Sequence, residues 1–409
     1  MSGFFDRNDT RSAKSREASL FKNLKTIVAV AKPRAAGLRA ILRGAELATV
    51  ERREDLARLP VLRKRDIERM RADDPPFGGL VAMRPGMLRR MTIDGPQGQV
   101  RDWWNCARAL SAAGFTRDDI ILNCFSYHLS ASGHVVDEGA AELGCAVIPA
   151  GTARVEKKLE AIHALKPTAY CGEPEHLLQL LDHAANANCD VSSLKKAFFF
   201  GAYLSRHARA EIERRGIGAR QAYVTSRHGV IAFETSLDDG RLNEGMIVNE
   251  GLIVEIVRPG TNTPAPDGEI GEVVVTRVNQ DYPLLRVSTG DLSRVIPGAS
   301  PCGRTGARIA GWLGRVGEET RIANRVLTPQ HVLDLADRHA CVRRMQIVVR
   351  REGQGDSVLL RAEGPDGDPQ LPANLKRNLF DITGIEGDIE VVGAGVLDTK
   401  ARLIADERR

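Results

Sequence analysis

The sequence predicts an α/β protein: a large N-terminal domain of parallel sheets with covering helices plus a β-barrel-like part, followed by a small α+β C-terminal domain. Between residues 119 and 202, apolar strand-like runs alternate with helical segments, which is typical of a parallel sheet covered by helices. Between residues 229 and 308 the apolar runs are short and bounded by turns, which favours antiparallel or barrel-like strands. Beyond residue 315 helical and strand patterns mix in a compact tail.

The elements follow this order along the chain. About forty basic residues with a helical pattern come first, broken at Pro33, and two further helices are separated by Pro60. The tail reads as a helix at 328–339, two strands, a helix near Leu375 and a last strand. We place the domain boundary at Arg315, which gives a large domain of residues 1–314 and a small domain of residues 315–409. The predicted strands of the parallel sheet are DIILNCF, CAVIPAG, PTAYCG and KKAFFFGA.

The composition excludes several classes of protein. The chain has 409 residues, 43% of them hydrophobic and 27% charged, as in a soluble globular protein. A net charge of +5, without basic runs interleaved with aromatic residues, argues against a nucleic-acid partner. No apolar stretch reaches the ~20 residues of a membrane span, and no secretory signal is evident. The seven cysteines form no CxxC pair, which favours reduced thiols in a cytoplasmic protein.

Seven segments follow one another in a fixed order between roughly residues 35 and 406. The segments are EDLARLPVLRKRDIERM, AELGCAVIPAG, FFFGAYLSRHARAEIERR, YVTSRHG, LLRVSTGDLSRV, GWLGRVGEE and LDTKARLI. In this order they resemble the motifs of the adenylate-forming (AMP-binding) enzyme superfamily, and within it the phenylacetate–CoA ligase branch. The order of the seven segments is more specific than any one motif.

The resemblance implies a two-step reaction. Family members join a carboxylate to ATP as an acyl-adenylate, and then transfer the acyl group to the thiol of CoA. Adenylation needs donors for the phosphates, Mg²⁺ held by a carboxylate and a lysine for developing charge. By the resemblance, Asp291 and Arg315 would bind the ribose or phosphate, and Lys400 would act in adenylation. Ordinary surface roles for these three residues are the alternative.

The phosphate-binding loop of the family is altered in this chain. The family pattern, rich in Ser and Thr, becomes IDGPQGQV, in which Gly95 and Gly98 remain as the candidate nucleotide-binding residues. The hydroxyl donors are gone, Pro96 has no N–H, and Asp94 would face phosphate oxygens. Several residues that follow the family loop are missing. A plain Gly-Pro turn is the alternative interpretation.

Two acidic positions of the family have also changed. Arg227 stands where the family has the Glu that helps to hold Mg²⁺, and a guanidinium cannot ligate a cation. Tyr203 replaces another acidic residue. We therefore expect Asp94 and Arg227 to pair and fill the triphosphate and metal site, which leaves ATP and Mg²⁺ doubtful as cofactors. No metal site is predicted, because the Cys/His cluster that some relatives carry is lacking.

These losses favour an acyltransferase that works without ATP. It would move an acyl group between CoA and another pantetheine thiol, such as that of an acyl carrier protein. The resemblance implies that the acyl group is aromatic. Exchange between thioesters is nearly thermoneutral and needs no ATP. The first alternative is an ATP-dependent aryl- or acyl-CoA ligase of the phenylacetate–CoA ligase type. The second is a non-catalytic acyl-CoA-binding protein. A homodimer is possible in each case.

The candidate catalytic residues follow from this hypothesis. Cys124 and His128 lie four residues apart at a strand end, where a Cys–His pair would serve as a nucleophile. His228 would act as a base for the incoming thiol, with Arg227 or Ser226 polarising the oxyanion. For each residue, an ordinary buried or strand-end role is the alternative. The predicted acyl-binding residues are Tyr127, Phe200, Tyr203, Tyr223 and Ser132.

Overall fold

The computed structural model describes residues 3–43, 50–339, 341–352, 355–365, 368–393, 395–397 and 402–408. The chain divides into two compact units. The larger contains Met1–Leu204, Ala208–Gly290 and Arg294–Gly311, and the smaller contains Ser205–His207, Asp291–Ser293 and Trp312–Arg409. The predicted α/β class is confirmed, because mixed sheets and helices build both units.

The N-terminal segment is helical, as the sequence predicts. Helices α1 (Ala13–Ala31) and α2 (Ala36–Ile41) lie on either side of Pro33, and α3 (Arg53–Leu56) and α4 (Lys64–Asp73) lie on either side of Pro60. Apolar residues of α1 and α2, such as Leu24 and Leu38, are fully buried in one cluster with Ile253 and Leu285, so this segment packs against later strands. Single-turn 3₁₀ helices lie at Arg7–Asp9 and Pro85–Met87.

The core of the larger unit is one mixed sheet of nine strands, preceded by a small hairpin. Strands β1 (Arg90–Met91) and β2 (Pro96–Gln97) form the hairpin. The strands that follow in the chain, up to the end of the large unit, are β3 (Ile120–Asn123), β4 (Ala146–Ile148), β5 (Ala169–Gly172), β6 (Lys196–Phe199), β7 (Gly218–Thr225), β8 (Gly229–Phe233), β9 (Met246–Val248), β10 (Leu252–Val257), β11 (Gly271–Arg277), β12 (Leu284–Ser293), β13 (Val295–Ile296) and β14 (Arg308–Ile309). The sheet order is β13-β14-β9-β8-β7-β6-β5-β3-β4.

Strands β4, β3, β5, β6 and β7 are parallel, as the alternating pattern predicts. Neighbouring residues of β3 point to opposite faces: Ile121 joins a cluster with α5 and α6, and Leu122 joins a cluster with α7 and α8. Both faces of the parallel half are therefore covered. The covering helices are α5 (Cys106–Ala112), α6 (Ser132–Leu143), α7 (Val155–Leu165), α8 (Pro174–Asn186) and α9 (Arg206–Arg214).

The antiparallel region differs in part from the expectation. Strands β10, β11 and β12 form a separate three-stranded sheet, but β8, β9, β13 and β14 extend the nine-stranded sheet. The switch occurs at β7 and β8, which pair antiparallel with a register shift at Tyr223 and Val224. Because β7 pairs parallel to β6 and antiparallel to β8, the 225–229 turn lies where the sheet changes direction.

The smaller unit is an α+β fold, as the tail pattern predicts. Its four-stranded sheet has the order β19-β18-β17-β20 and packs on α10 and α11 through apolar residues such as Leu335, Ile347 and Leu375. The sequence analysis did not identify β20, which pairs parallel to β17. The elements are β15 (Thr320–Ile322), β16 (Arg325–Leu327), α10 (Pro329–Asp337), β17 (Arg344–Glu352), β18 (Gly355–Glu363), α11 (Leu371–Thr383), β19 (Asp388–Val392) and β20 (Ile404–Asp406).

Candidate functional site

The altered phosphate loop is the tip of the β1–β2 hairpin. The Thr92 amide donates to the Gly95 carbonyl at 3.0 Å, and the Gly95 amide donates to the Thr92 hydroxyl at 3.2 Å. The turn therefore uses its own N–H groups, and Asp94 lies at its tip. Gly95 lies beside Tyr282, whose ring would be 3.8 Å from a Cβ on Gly95. Nucleotide binding by Gly95 stays a prediction, and its amide is already engaged within the turn.

Trp103 packs directly against the end of this hairpin. A Cβ on Gly98 would collide with the Trp103 ring, so the glycine at this position is required by close packing. The ring is almost fully buried in the main core of the larger unit. Gly98 thus has a structural role as well as its predicted role in nucleotide binding.

Arg277, at the end of β11, lies over the Trp103 ring. Its guanidinium carbon is 4.4 Å from the ring centroid, which is a cation–π contact. The guanidinium donates to the carbonyl oxygens of Trp103 and Arg227, the latter at 3.3 Å. Burial lowers the pKa of Arg277 to about 10. Even so, Arg277 is a cation at neutral pH, and among the described residues no carboxylate lies within 4 Å of it.

The expected pair between Asp94 and Arg227 is wrong. No ion pair or hydrogen bond joins these two residues, which both belong to the described part of the chain. Arg227 instead lies close to Tyr282: burial raises the pKa of the Tyr282 phenol, and the charge of Arg227 opposes this shift. Asp94 lies in the turn at the hairpin tip. The expected salt bridge between Asp94 and Arg227 is therefore not formed.

His228 lies behind Arg227 and is almost fully buried. Its Nδ1 is 2.9 Å from the Thr225 hydroxyl. Burial holds the pKa of His228 well below its usual range, and the charges of Arg227 and Arg277 lower it further. The imidazole is therefore neutral, as a general base must be. Its role as a base for a thiol stays a prediction.

Residues 226–230 hold the start of β8 against Trp104. The Ser226 carbonyl accepts a hydrogen bond from the Trp104 indole nitrogen at 3.2 Å, and the Val230 amide donates to the Trp104 carbonyl at 2.9 Å. Gly229 has φ +80 and no room for a Cβ beside the Trp104 backbone. The turn that carries Ser226, Arg227 and His228 is thus rigidly held.

Four buried polar atoms in this region have no hydrogen-bond partner. They belong to contacting or adjacent residues of the hairpin, the Trp103 ring and the 225–229 turn. The atoms are Gln97 Nε2, Trp103 Nε1, Arg227 Nε and His228 Nε2. Such orphaned groups are rare in folded proteins, and they mark a place where an acceptor-rich ligand or water binds.

The predicted acyl-binding residues do not form one group. Phe200 is stacked on Phe125, with ring centroids 3.8 Å apart and an interplanar angle of 19°, in the main core cluster. Tyr223 is buried in a different cluster, with Ile231 and Met246. Phe200 and Tyr223 therefore belong to different hydrophobic clusters. Tyr203 is partly exposed beyond the end of β6.

Tyr127 and Ser132 lie at the start of α6. The Tyr127 hydroxyl accepts a hydrogen bond from Asn123 at 2.7 Å and donates one to Asp137 at 2.8 Å. Burial and the Asp137 carboxylate raise the pKa of Tyr127. The Ser132 hydroxyl is 3.1 Å from that of Ser130. Both side chains thus have protein partners, and their contact with an acyl group stays a prediction.

The predicted Cys124–His128 pair is wrong in its geometry. Cys124 packs into the cluster beneath α7 and α8, whereas His128 is exposed, and no hydrogen bond joins them within the described ranges. Burial raises the pKa of the Cys124 thiol to about 12, opposed only weakly by the charge of Lys158. The alternation of side chains along β3 places Cys124 on this face. A thiol of this kind is a poor nucleophile at neutral pH.

We therefore expect Cys124→Ala to keep the turnover of the enzyme within about threefold of the wild type, because a protonated, buried thiol contributes packing and not chemistry. Steady-state kinetics and intact-mass analysis after incubation with an acyl-CoA check this expectation. A loss of turnover together with an acyl adduct on Cys124 in the wild type would contradict it.

Asp102 anchors the start of α5 next to Trp103. Its carboxylate accepts hydrogen bonds from the amides of Cys106 and Ala107, at 2.7 and 2.9 Å. Burial raises the pKa of Asp102 from 3.8 to about 6, and these two hydrogen bonds oppose the shift. The folded protein thus binds this proton more tightly than the unfolded chain does.

Asp102 consequently makes stability depend on pH. The contribution is full below the unfolded-state pKa near 3.8 and is lost as the pH rises through about 6. We expect the wild type to lose about 3 kcal/mol of unfolding free energy over this window relative to Asp102→Asn, which keeps an acceptor but does not titrate. Urea denaturation of both proteins at several pH values measures the difference. Parallel pH profiles would contradict this prediction.

In the smaller unit, Asp291 and Arg315 are brought together as a pair. An isolated antiparallel bridge joins the two residues, and the Arg315 Nε lies 3.8 Å from the Asp291 carboxylate. The Trp312 indole N–H donates to the same carboxylate at 3.2 Å. Asp291 is thus a buried carboxylate held from two sides, while the Arg315 side chain is mostly exposed. Lys400 lies outside the described residues.

The donor set does not fit a divalent cation at position 227. A guanidinium occupies this position, and it repels a metal ion. Among the described residues, no group of three or more His, Cys, Asp or Glu side chains is placed to hold a metal ion. No helix in the described part of the chain is long and apolar enough to cross a membrane.

The sequence analysis missed Gln97, Trp103, Arg277 and Tyr282 as parts of this region. A signal existed for Arg277, since an arginine so close to the apolar run VVV of a predicted strand is unusual. A second signal existed for Trp103, because the segment RDWW follows directly after the shortened loop. A separate cavity of about 210 Å³ is lined by residues such as Arg34, Asp74 and Phe77, and none of the four residues lines it.

Comparisons with known proteins agree on one family. The sequence model of the family "AMP-binding enzyme" matches residues 98–279. The phenylacetate-coenzyme A ligase of Aromatoleum evansii is 26% identical over 390 residues, which cover 87% of this chain and 85% of that protein. The enzyme of the same name from Pseudomonas putida is 30% identical over 270 residues, which cover 62% of this chain and 60% of that protein.

A solved structure has the same fold. An open conformation of 2-hydroxyisobutyryl-CoA ligase, in complex with 2-HIB-AMP and CoA, superposes with a TM-score of 0.81 at 22% identity. The match covers 98% of this chain and 94% of that chain. At 22% identity, this match shows that the two chains share a fold.

Proposed function

Because this chain belongs to the phenylacetate–CoA ligase-like branch of the adenylate-forming enzymes, we propose that it is an ATP-dependent acyl-CoA ligase that releases AMP. The sequence motifs alone favour transfer without ATP over ligation, but relatives that match most of the chain carry the ligase name. The loss of the expected Asp94–Arg227 pair removes the main reason for excluding a nucleotide from the cleft.

The observation that carries this proposal is the Asp291 site. A buried carboxylate held by Trp312 and bridged to Arg315 is an arrangement suited to accept hydrogen bonds from two adjacent hydroxyls, such as those of a ribose. An enzyme that only exchanged thioesters would need no such group. The motif resemblance assigns the same role to Asp291.

The reaction has two balanced steps. A carboxylate oxygen of the acid forms a bond to the α-phosphorus of ATP, and pyrophosphate leaves. The thiolate of CoA then forms a bond to the acyl carbon, and AMP leaves with the electron pair of the broken C–O bond. We assign the acceptance of the thiol proton to His228, whose imidazole is neutral because burial and two nearby arginines lower its pKa. Phe200 and Phe125 supply apolar surface that suits an aromatic acid.

A second function is favoured by the hairpin. The 92–95 turn lacks hydroxyl donors other than Thr92, and its glycine amide is engaged internally. Acyl transfer between CoA and a carrier-protein pantetheine needs no triphosphate, so such a hairpin would not limit it.

One experiment separates the two functions. The protein is incubated with aromatic acids, ATP, Mg²⁺ and CoA, and separately with the matching acyl-CoA and an acyl carrier protein. The proposed ligase forms AMP and acyl-CoA in equal amounts in the first mixture. Acylation of the carrier protein in the second mixture, with no AMP in the first, would replace it with the transferase.

A further inference from the structure

The region around Arg227 contains more hydrogen-bond donors than acceptors. Gln97 and Trp103 are 1% and 2% exposed, and each has a buried N–H nitrogen without a partner. The Gln97 amide oxygen already accepts a hydrogen bond from Arg90 at 2.8 Å, which orients its NH₂ group. Arg227 Nε adds a third orphaned donor. Buried donors of this kind carry a desolvation cost unless an acceptor meets them.

The region is also positively charged. Arg227 and Arg277 are joined through the Arg227 carbonyl, and neither has a carboxylate within 4 Å in the described chain. Asp102 and Asp281 act on Arg277 only at longer range. Tyr282 is a neutral phenol at ordinary pH, because burial raises its pKa. Arg277 is buried and Arg227 is half-buried, and two guanidiniums that lack a carboxylate within 4 Å in the described chain favour an anion close to them.

The charge and the donors together match a phosphoryl group. A guanidinium presents a planar fork of donors that fits phosphate oxygens, and a phosphoryl oxyanion offers several acceptors and more than one negative charge. A carboxylate would supply fewer hydrogen-bond acceptors and less negative charge. The hairpin and the 225–229 turn are the segments whose motifs resemble the nucleotide-binding motifs of the family, so the anion belongs to the nucleotide side of the site.

We propose that Gln97, Trp103 and Arg227, with the charge of Arg277 behind them, form a phosphoryl-anion site in which fixed guanidinium charge takes the place of a divalent cation. The natural anion is the pyrophosphate portion of ATP, and this part of the inference rests on the proposed function. The site itself is defined by the orphaned donors and the unpaired charge. It explains why arginine at position 227 is compatible with a nucleotide-using enzyme.

Binding of inorganic pyrophosphate to the full chain, measured by isothermal titration calorimetry in excess EDTA, tests the proposal. We expect the wild type to bind without metal. Arg227→Gln should weaken binding about 10- to 100-fold, as for a lost charged donor. Trp103→Phe, which keeps a six-membered aromatic ring and removes the pyrrole part of the indole with its N–H, should weaken it about 3- to 10-fold. The control Arg101→Gln removes an exposed arginine from the neighbouring loop and should bind as the wild type does.

Several outcomes would overturn the proposal. They are absence of binding in EDTA, equal binding by the wild type and Arg227→Gln, or an Arg227-dependent signal from phenylacetate and not from pyrophosphate. Thermal denaturation of each variant shows whether it is folded, and Trp103→Phe, which keeps an aromatic ring at this position, is the second variant if Arg227→Gln does not fold. Release of AMP with Mg²⁺ but no metal-free pyrophosphate binding would retain the ligase function and overturn this inference alone.

Discussion

Arg227→Ala should lower kcat/KM for ATP about 100- to 1000-fold, the usual cost of removing one donor to developing charge in a buried site. Arg227 lies between Tyr282 and buried His228, and its guanidinium has no carboxylate partner in the described chain to neutralise it. Removal therefore takes away charge that the site has available for phosphate. Initial rates of AMP release at varied ATP concentrations measure the effect.

Two further variants show whether the charge and the shape of the Arg227 side chain explain this result. Arg227→Lys keeps the charge but loses the planar fork, so we expect it to recover only part of the activity. Arg101→Ala removes an exposed arginine of the following loop and should leave the rate unchanged. If Arg227→Ala turned over ATP as fast as the wild type, Arg227 would have no part in the reaction.

Trp103→Ala should cost about 3–5 kcal/mol of unfolding free energy, as expected for truncating a large buried aromatic side chain. The Trp103 ring fills the space beside Gly98 and stacks under the Arg277 guanidinium. Its removal opens a cavity and takes the cation–π contact from a buried arginine. Urea denaturation, followed by circular dichroism, measures the change.

Trp103→Phe is the matched control, because it keeps an aromatic ring in the same place. We expect it to lose much less stability than Trp103→Ala, within about 1.5 kcal/mol of the wild type. If both variants unfolded at the urea concentration of the wild type, the packing of Trp103 on Gly98 would contribute nothing to the fold.

The sequence predicted the fold well because its signals were local and repeated. Apolar runs such as Ile120–Asn123 and Lys196–Phe199 became strands of one parallel sheet, on either side of β5. The antiparallel strands were also predicted, but the membership of β8 and β9 in the large sheet was not. That membership depends on pairing between distant residues, which a local pattern does not encode.

The candidate site was predicted less well, for a physical reason. Motif positions located Arg227 and Asp94 on the correct segments, but opposite charge alone does not bring two side chains together. Tyr282, distant in sequence, lies beside Gly95, and its phenol is close enough to Arg227 for the charge of the arginine to lower its pKa. Similarly, Cys124 was judged by its spacing from His128, whereas the alternation of β3 decides which face it occupies.

The most direct test of the proposed ligase is the stoichiometry of its products. Purified protein with an aromatic acid, ATP, Mg²⁺ and CoA is quenched at intervals, and AMP and acyl-CoA are quantified by chromatography. The proposal predicts equal amounts of AMP and acyl-CoA, both dependent on the acid. Acyl-CoA consumption by a carrier protein, with no AMP formed from any acid offered, would contradict it.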